Sequence, residues 1–200
     1  MTGTTLPDQA RRLLEFWFGE LSEGFADDAH RQRWFLGGAD FDELCRDTFA
    51  ALYDQAAAGA LTHWQNTARG SLALILLCDQ LPRNIFRDHA NAFATDPMAL
   101  SIAKVLVDAG LDQALTFDER AFCYLPFEHS ESLLDQHAAV GLFTALRDST
   151  PQGQRHLTGS YLQHAHQHRD TILRFGRFPF RNAALGRTST HAELAYINQP

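Results

Sequence analysis

Three observations predict an all-α fold for this 200-residue chain. Apolar residues recur at i, i+3, i+4 and i+7 along most of its length, helix-capping signals precede several of these runs, and no alternating strand or Asn-Gly hairpin appears. The expected architecture is a single domain spanning residues 1–200, built of antiparallel helix pairs in a bundle or short helical array.

The first expected helix carries Ala10, Leu13, Leu14, Trp17 and Leu21, with Thr5 as a candidate cap. Trp34-Phe35 and the Gly37-Gly38 turn lead to a second, whose stripe is Phe41, Leu44, Cys45, Thr48, Phe49, Leu52, Tyr53 and Ala56, stopped by Gly59. A third begins near Thr67 and is apolar on every side from Leu72 to Cys78, as befits a central, buried helix. Its Leu and Ala content, with few β-branched residues, disfavours a strand. Asp96-Pro97 reads as a cap and first-turn proline opening a helix through Ile102, Leu106 and Val107 to Gly110. Thr116-x-x-Glu119 has capping-box spacing and starts a helix expected to break at Pro126. The next is expected from about Phe127 to Leu146, and a long helix places Leu157, Tyr161, Ala165, His168, Ile172 and Phe175 on one side, ending at Gly176. Thr190-x-x-Glu193 offers a final capping box.

Composition narrows the function classes. Hydrophobic residues make up 45 % and fifteen are Phe, ample for one core that buries roughly 70 % of the unfolded surface. A net charge of −7, with Lys104 the only lysine and no basic run, argues against nucleic-acid binding. Cys45, Cys78 and Cys123 are far apart and set among apolar residues, which fits buried free thiols in a reducing compartment. The N-terminus lacks a signal-peptide pattern, and the longest strictly apolar stretch, Leu72 to Cys78, is too short to cross a bilayer. A cytoplasmic location without membrane attachment is expected. No P-loop, nucleophile elbow or dinucleotide fingerprint appears, so no cofactor is expected. Charge and aromatic content are equally compatible with a monomer and an oligomer.

Three apolar runs reach a proline followed by a polar pair: Leu81-Pro82-Arg83-Asn84, Leu125-Pro126-Phe127-Glu128-His129 and Phe178-Pro179-Phe180-Arg181-Asn182. Polar groups beside buried segments need partners. If the three breaks converge, two Arg-Asn pairs and a Glu-His pair meet in one place.

Longer motifs enclose these breaks: Asp79 to Arg87, Ala92-Phe93-Ala94-Thr95-Asp96, Tyr124 to Glu131, and His168-Arg169-Asp170 through Arg174 to Asn182. Together with Phe16-Trp17-Phe18-Gly19, they resemble the bacterial DUF924 family over nearly the whole chain. The resemblance implies an all-helical fold of the tetratricopeptide-like superfamily and a family without an established biochemical activity. One position departs from the family pattern: Phe180 stands where Phe-Pro-His-Arg-Asn has its histidine.

Each candidate residue has a functional and a structural reading. Asp79, Arg83 and Arg87 follow one another at helical-turn spacing, able either to recognise an anion or to close a salt-bridge network. Glu128-His129-Ser130-Glu131 joins a histidine to carboxylates, a combination suited to proton transfer, with Glu131 as a candidate orienting group for His129. Glu128 and Glu131 equally suit the first turn of a helix. Arg181-Asn182 either clamps a ligand or staples a folded-back C-terminal segment. In His164-x-His166-x-His168 only the outer two share a helical face, too few ligands for a metal centre, and none is expected. His168 lies on the apolar stripe as a supporting residue.

The leading functional reading is a small anionic or amide-containing ligand held in a polar site between helices by Arg83, Asn84, Glu128, His129, Arg181 and Asn182, supported by Asp79, Arg87, Glu131 and His168. The alternatives are a protein-interaction scaffold with a purely structural polar cluster, and an enzyme using His129, oriented by Glu131, as general acid or base.

Overall fold

A buried, kinked rod at the centre of the molecule organises the remaining helices. In this computed structural model, which describes residues 5–198, the rod comprises α4 (Ala68–Ile75), a π-helical turn over Leu76–Gln80, and α5 (Leu81–Ile85). Every side chain from Leu72 to Cys78 is buried. The rod starts where Gly70 passes the Trp64 carbonyl so closely that a Cβ would lie 2.0 Å from its oxygen.

Pro82 has no N–H, so the turn before it loses a backbone donor. The Thr95 hydroxyl donates to the Cys78 carbonyl at 2.6 Å, and the Arg83 guanidinium donates to the Asp79 carbonyl. Thus the proline-bearing segment stays helical, and Asp79 and Gln80 are held in a π turn, a geometry common at functional sites.

Around the rod run α1 (Asp8–Phe18), α2 (Asp28–Leu36), α3 (Ala39–Ala57), α6 (Asp96–Asp108), α7 (Phe117–Glu128), α8 (Leu133–Ser149), α9 (Arg155–Phe175) and α10 (His191–Ile197). The described residues contain short 3₁₀ turns and one isolated bridge, Ser22 to Phe25, but no strand, so the fold is all-α. A continuous apolar core joins α1 and α3 through α4 to α6, α7, α8 and α9. Its aromatic centre is Phe122, whose ring meets Trp17, Phe18 and Trp34 edge-on at 5.7, 5.3 and 4.7 Å. Cys45, Cys78 and Cys123 are buried and free.

Several boundaries differ from the expected ones. Thr5 is not a cap; α1 starts after Pro7, whose carbonyl accepts from Arg11. α2 is an additional helix, capped by Asp27 accepting the His30 amide at 2.8 Å. Its apolar residues Trp34, Phe35 and Leu36 are consecutive and give no helical stripe. Asp96 is not the cap of α6, since Thr95 holds that position and Asp96 begins the helix. α7 runs through Pro126 to Glu128, because Phe122, Cys123, Tyr124 and Phe127 are buried on both sides of the proline. The break falls at residues 129–132, so Glu131 lies in a connection and not on a helical face shared with Glu128. Gly176 ends α9 in the left-handed conformation as expected, and Thr190 and Glu193 form the reciprocal capping box. Among the described residues no helix is long and apolar enough to cross a membrane.

Candidate functional site

The π turn, the end of α7, the start of α6 and the segment after α9 meet at a cluster of ionisable groups. Asp79 is fully buried. Its carboxylate accepts from Nδ1 of His129, with Oδ1 at 2.7 Å and Oδ2 at 3.0 Å, and from the Gln80 amide. Nη1 of Arg83 lies 3.4 Å from Oδ1. Arg83 also grips Asp96 bidentately, Nη1 to Oδ1 at 2.9 Å and Nη2 to Oδ2 at 3.0 Å, and Arg181 adds a third bond to Asp96 Oδ2 at 3.2 Å. The Arg181 guanidinium sits over the rings of Phe93 and Phe178 at 4.8 and 4.6 Å.

Two cations therefore face two carboxylates. Burial alone would raise the Asp79 pKa, but the charges of Arg83 and His129 outweigh it and hold the carboxyl well below the usual range. Burial, followed by the neighbouring Arg83 charge, lowers His129 to about 4, so its imidazole is neutral at pH 7. Because Asp79 can only accept, Nδ1 of His129 carries the hydrogen, and Nε2 presents a lone pair. Burial and the Arg83 charge also lower Arg181, to about 10.

Glu128 lies one residue from His129 and is 3 % exposed. Burial, with the Asp79 charge second, pushes its carboxyl up to about 8. Its Oε1 is 3.1 Å from Nδ1 of His168, which also donates to the His164 carbonyl at 3.0 Å. A carbonyl only accepts, so His168 is protonated on Nδ1 and gives that hydrogen to the His164 carbonyl. Oε2 of Glu128 is a buried atom without a hydrogen-bond partner. Burial lowers the His168 pKa as well.

A cavity of about 200 Å³ opens against these groups. Gln80, Arg83, Glu128, His129, His164 and His168 supply its polar wall, and Trp34, Phe35, Leu125 and Tyr161 its apolar and aromatic wall. α2, α7 and α9 thus meet the π turn around a hollow with one polar and one greasy side, the usual make-up of a small-molecule site.

Asp79, Arg83, Glu128, His129, Arg181 and His168 are brought together. The remaining candidates go elsewhere. Asn84 and Arg87 turn to Asp42 on α3, bonding its carboxylate at 2.8 Å and at 2.5 and 2.7 Å. Asn182 is buried and donates to Ser189 at 3.0 Å. Glu131 accepts from Arg187 and from the Phe178 amide, so the group that orients His129 is Asp79. Asn84 and Asn182 follow their arginines in sequence but leave in other directions, as adjacent helical positions do.

Asp96 escaped sequence reasoning as a site residue because Asp-Pro is also a helix-start signal; its bonds to Arg83 and Arg181 follow no sequence periodicity. Trp34 and Phe35 belong to a helix without an amphipathic stripe. His164 carried a signal, its i, i+4 relation to His168, which the backbone bond between the two explains. Among the described residues no group of three or more His, Cys, Asp or Glu could hold a metal ion.

Residues 13–200 match the family described as "Bacterial protein of unknown function (DUF924)". A solved structure of a protein of unknown function from Agrobacterium tumefaciens is similar with a TM-score of 0.80 and 38 % sequence identity, covering 96 % of this chain and 98 % of that one. No curated protein matches the chain.

Proposed function

The chain belongs to the DUF924 family, and we propose that it binds a small, uncharged, carbonyl- or amide-bearing molecule in the cavity beside Glu128 and His129. The observation that carries this reading is the cavity itself, in whose wall Glu128, with one carboxyl oxygen that no group of the protein satisfies, stands beside His129.

Charge balance favours an uncharged ligand over an anionic one. Arg83 and Arg181 are matched by Asp79 and Asp96, so neither guanidinium is left as a free anion receptor. Glu128, protonated, donates one hydrogen bond, and the bare Nε2 of His129 accepts one. A primary amide, a lactam or a hydroxy-carbonyl answers both. Size agrees: a dry protein cavity of about 150 Å³ accepts benzene, so about 200 Å³ suits a ring with one or two polar substituents.

The test is ligand-observed NMR and thermal shift with benzamide and 2-pyridone, with benzoate and inorganic phosphate as charged controls. Saturation transfer to the neutral probes and a rise in Tm are expected, both lost in Glu128→Leu. Failure of both neutral probes, or equal binding of benzoate, refutes the reading. The scaffold alternative expects the polar cluster to be fully self-paired, which the free Glu128 oxygen disfavours.

A further inference from the structure

We propose that the cavity selects molecules carrying an unsubstituted –NH2 group on a carbonyl, aromatic primary carboxamides above all, with His129 and His168 as the two acceptors that set the selectivity. The inference rests on the binding reading above and narrows its ligand class from uncharged carbonyl compounds to those with two hydrogens to donate.

Each imidazole has its tautomer fixed from within the protein. Nδ1 of His129 gives its hydrogen to the buried Asp79 carboxylate at 2.7 Å, and Nδ1 of His168 gives its hydrogen to the His164 carbonyl at 3.0 Å. Both partners only accept, so each neutral ring is left with a bare lone pair on Nε2. Burial favours the neutral rings, lowering the His129 pKa to about 4 and that of His168 below its ordinary value.

These lone pairs are accessible. Among the described residues neither Nε2 has a hydrogen-bond partner, and neither is one of the buried polar atoms left unpaired. Exposure amounts to 14 % of the His129 side chain and 36 % of the His168 side chain, so each ring uses its inner nitrogen and keeps the other open. Both rings line the same cavity, with centroids 6.2 Å apart. A hydrogen bond spans about 3 Å between nitrogens, so one –NH2 group between the rings has a hydrogen for each.

The rest of the wall agrees. Gln80 turns its amide nitrogen to Asp79, which leaves its carbonyl oxygen as a further acceptor. Arg83 bonds the Asp79 carbonyl and Asp96 through Nη1 and Nη2, so its Nε–H remains as a donor for the ligand carbonyl. On the apolar wall, Nε1 of Trp34 donates to the Trp17 carbonyl at 2.8 Å and the Tyr161 hydroxyl to Asp118 at 2.7 Å. Their polar atoms are thus taken, and what remains for a ligand is aromatic surface, which suits a flat ring. A ketone of the same shape would leave both imidazoles without a donor, and a carboxylate would set its lone pairs against theirs.

The test is an NMR shift titration of the 15N-labelled full chain at pH 7 with benzamide and acetophenone. Acetophenone is benzamide with a methyl group in place of –NH2, so shape is nearly constant while both hydrogens are lost. Two hydrogen bonds of roughly fivefold each make acetophenone about 25-fold weaker. A ratio below about fivefold overturns the proposal. His168→Phe keeps a flat ring and removes one acceptor, so the ratio should fall to about fivefold. An unchanged ratio in that variant overturns the role of His168. The wild type supplies a second measurement that needs no variant: long-range 1H–15N spectra of its histidines. The unprotonated Nε2 signals of His129 and His168 should move on addition of benzamide and stay in place with acetophenone. A proton on Nε2 of either ring, or no movement with bound benzamide, overturns the proposal.

Equal binding of benzamide and acetophenone removes the selectivity and leaves the binding site standing. Absence of binding by benzamide, 2-pyridone and acetophenone alike removes the binding reading, and this inference with it.

Discussion

Oδ1 of Asp79 stands 2.7 Å from Nδ1 of His129, fifty residues away in the chain, and the bond joins the π turn to the end of α7. The same carboxylate faces Arg83 one helical turn later, so a single buried acid sets both the tautomer of the histidine and the position of the guanidinium. The rest of the cluster is arranged around that dependence.

Asp79→Asn should be strongly destabilising. The amide cannot neutralise Arg83, and removing one partner from a buried ion pair costs about 3–5 kcal/mol. Asp96 remains as a second partner for Arg83, which places the effect toward the lower end. Urea unfolding at pH 7 measures it. A loss below about 1 kcal/mol would show that the buried carboxylate is replaceable by a neutral hydrogen-bonding group.

Glu128 predicts a pH dependence with a definite sign. Its folded pKa, about 8, lies above the ordinary 4.5, so between these values the native state holds a proton that the unfolded chain has lost. Its contribution is present below pH 4.5 and declines as pH rises toward 8. His129 acts oppositely: its lowered pKa makes stability rise between about pH 4 and 6.5. The two trends offset each other until pH 6.5, and above it the Glu128 effect stands alone. From pH 6.5 to 8 the wild type should lose about 2 kcal/mol relative to Glu128→Gln, at 1.36 kcal/mol per unit. Parallel unfolding curves for the two proteins over that interval would contradict the raised pKa.

Asn84 and Arg87 should prove structural. Both serve Asp42, tying α5 to α3, and Arg87 is half exposed. Arg87→Met is expected to cost about 1 kcal/mol, since exposed partners weaken an ion pair, and to leave benzamide binding within twofold of wild type. Arg83→Met, in contrast, should abolish binding, because Arg83 is part of the cavity wall. Calorimetric titration of the two variants separates the roles; equal loss in both would move Arg87 into the site.

Phe180 occupies the position where the family pattern has histidine, and its ring is 63 % exposed, 5.6 Å from that of Tyr196. It does not line the cavity, whereas its neighbour Arg181 points inward to Asp96. Phe180→His should change stability by no more than about 0.5 kcal/mol and leave probe binding untouched. A gain in binding in that variant would bring this position into the site after all.

The helices were legible where periodicity and caps agreed, as in α3, α9 and the two capping boxes. Legibility failed where tertiary burial overrode a local breaker. Pro82 and Pro126 both sit in helical segments, because Thr95 and Arg83 satisfy the carbonyls ahead of the first and aromatic burial surrounds the second. Of the candidate residues, sequence reasoning singled out Asp79, Arg83, His129 and Arg181, which the fold brings together. It could not assign partners. Asn84, Asn182 and Glu131 looked equivalent to these by spacing, and only the three-dimensional path of the chain sends them to Asp42, Ser189 and Arg187.

Glu131 shows how much that distinction matters. As an orienting group for His129, its loss would reduce chemistry while leaving the fold intact. Its carboxylate instead accepts the Phe178 amide at 2.8 Å and both Nη atoms of Arg187 at 2.8 and 3.0 Å. Arg187 in turn donates to the Phe178 carbonyl at 3.0 Å, so one carboxylate and one guanidinium clamp that residue on both sides. Phe178 supports Arg181, whose guanidinium rests on its ring at 4.6 Å. Glu131→Ala should therefore cost about 1–3 kcal/mol, accelerate hydrogen exchange at the Phe178 amide, and loosen the segment after α9. Exchange at Ile75 and Leu77, deep in the central rod, should slow or quicken only in step with global stability. Unchanged protection at Phe178 together with a selective loss of probe binding would return Glu131 to the orienting role, in place of Asp79.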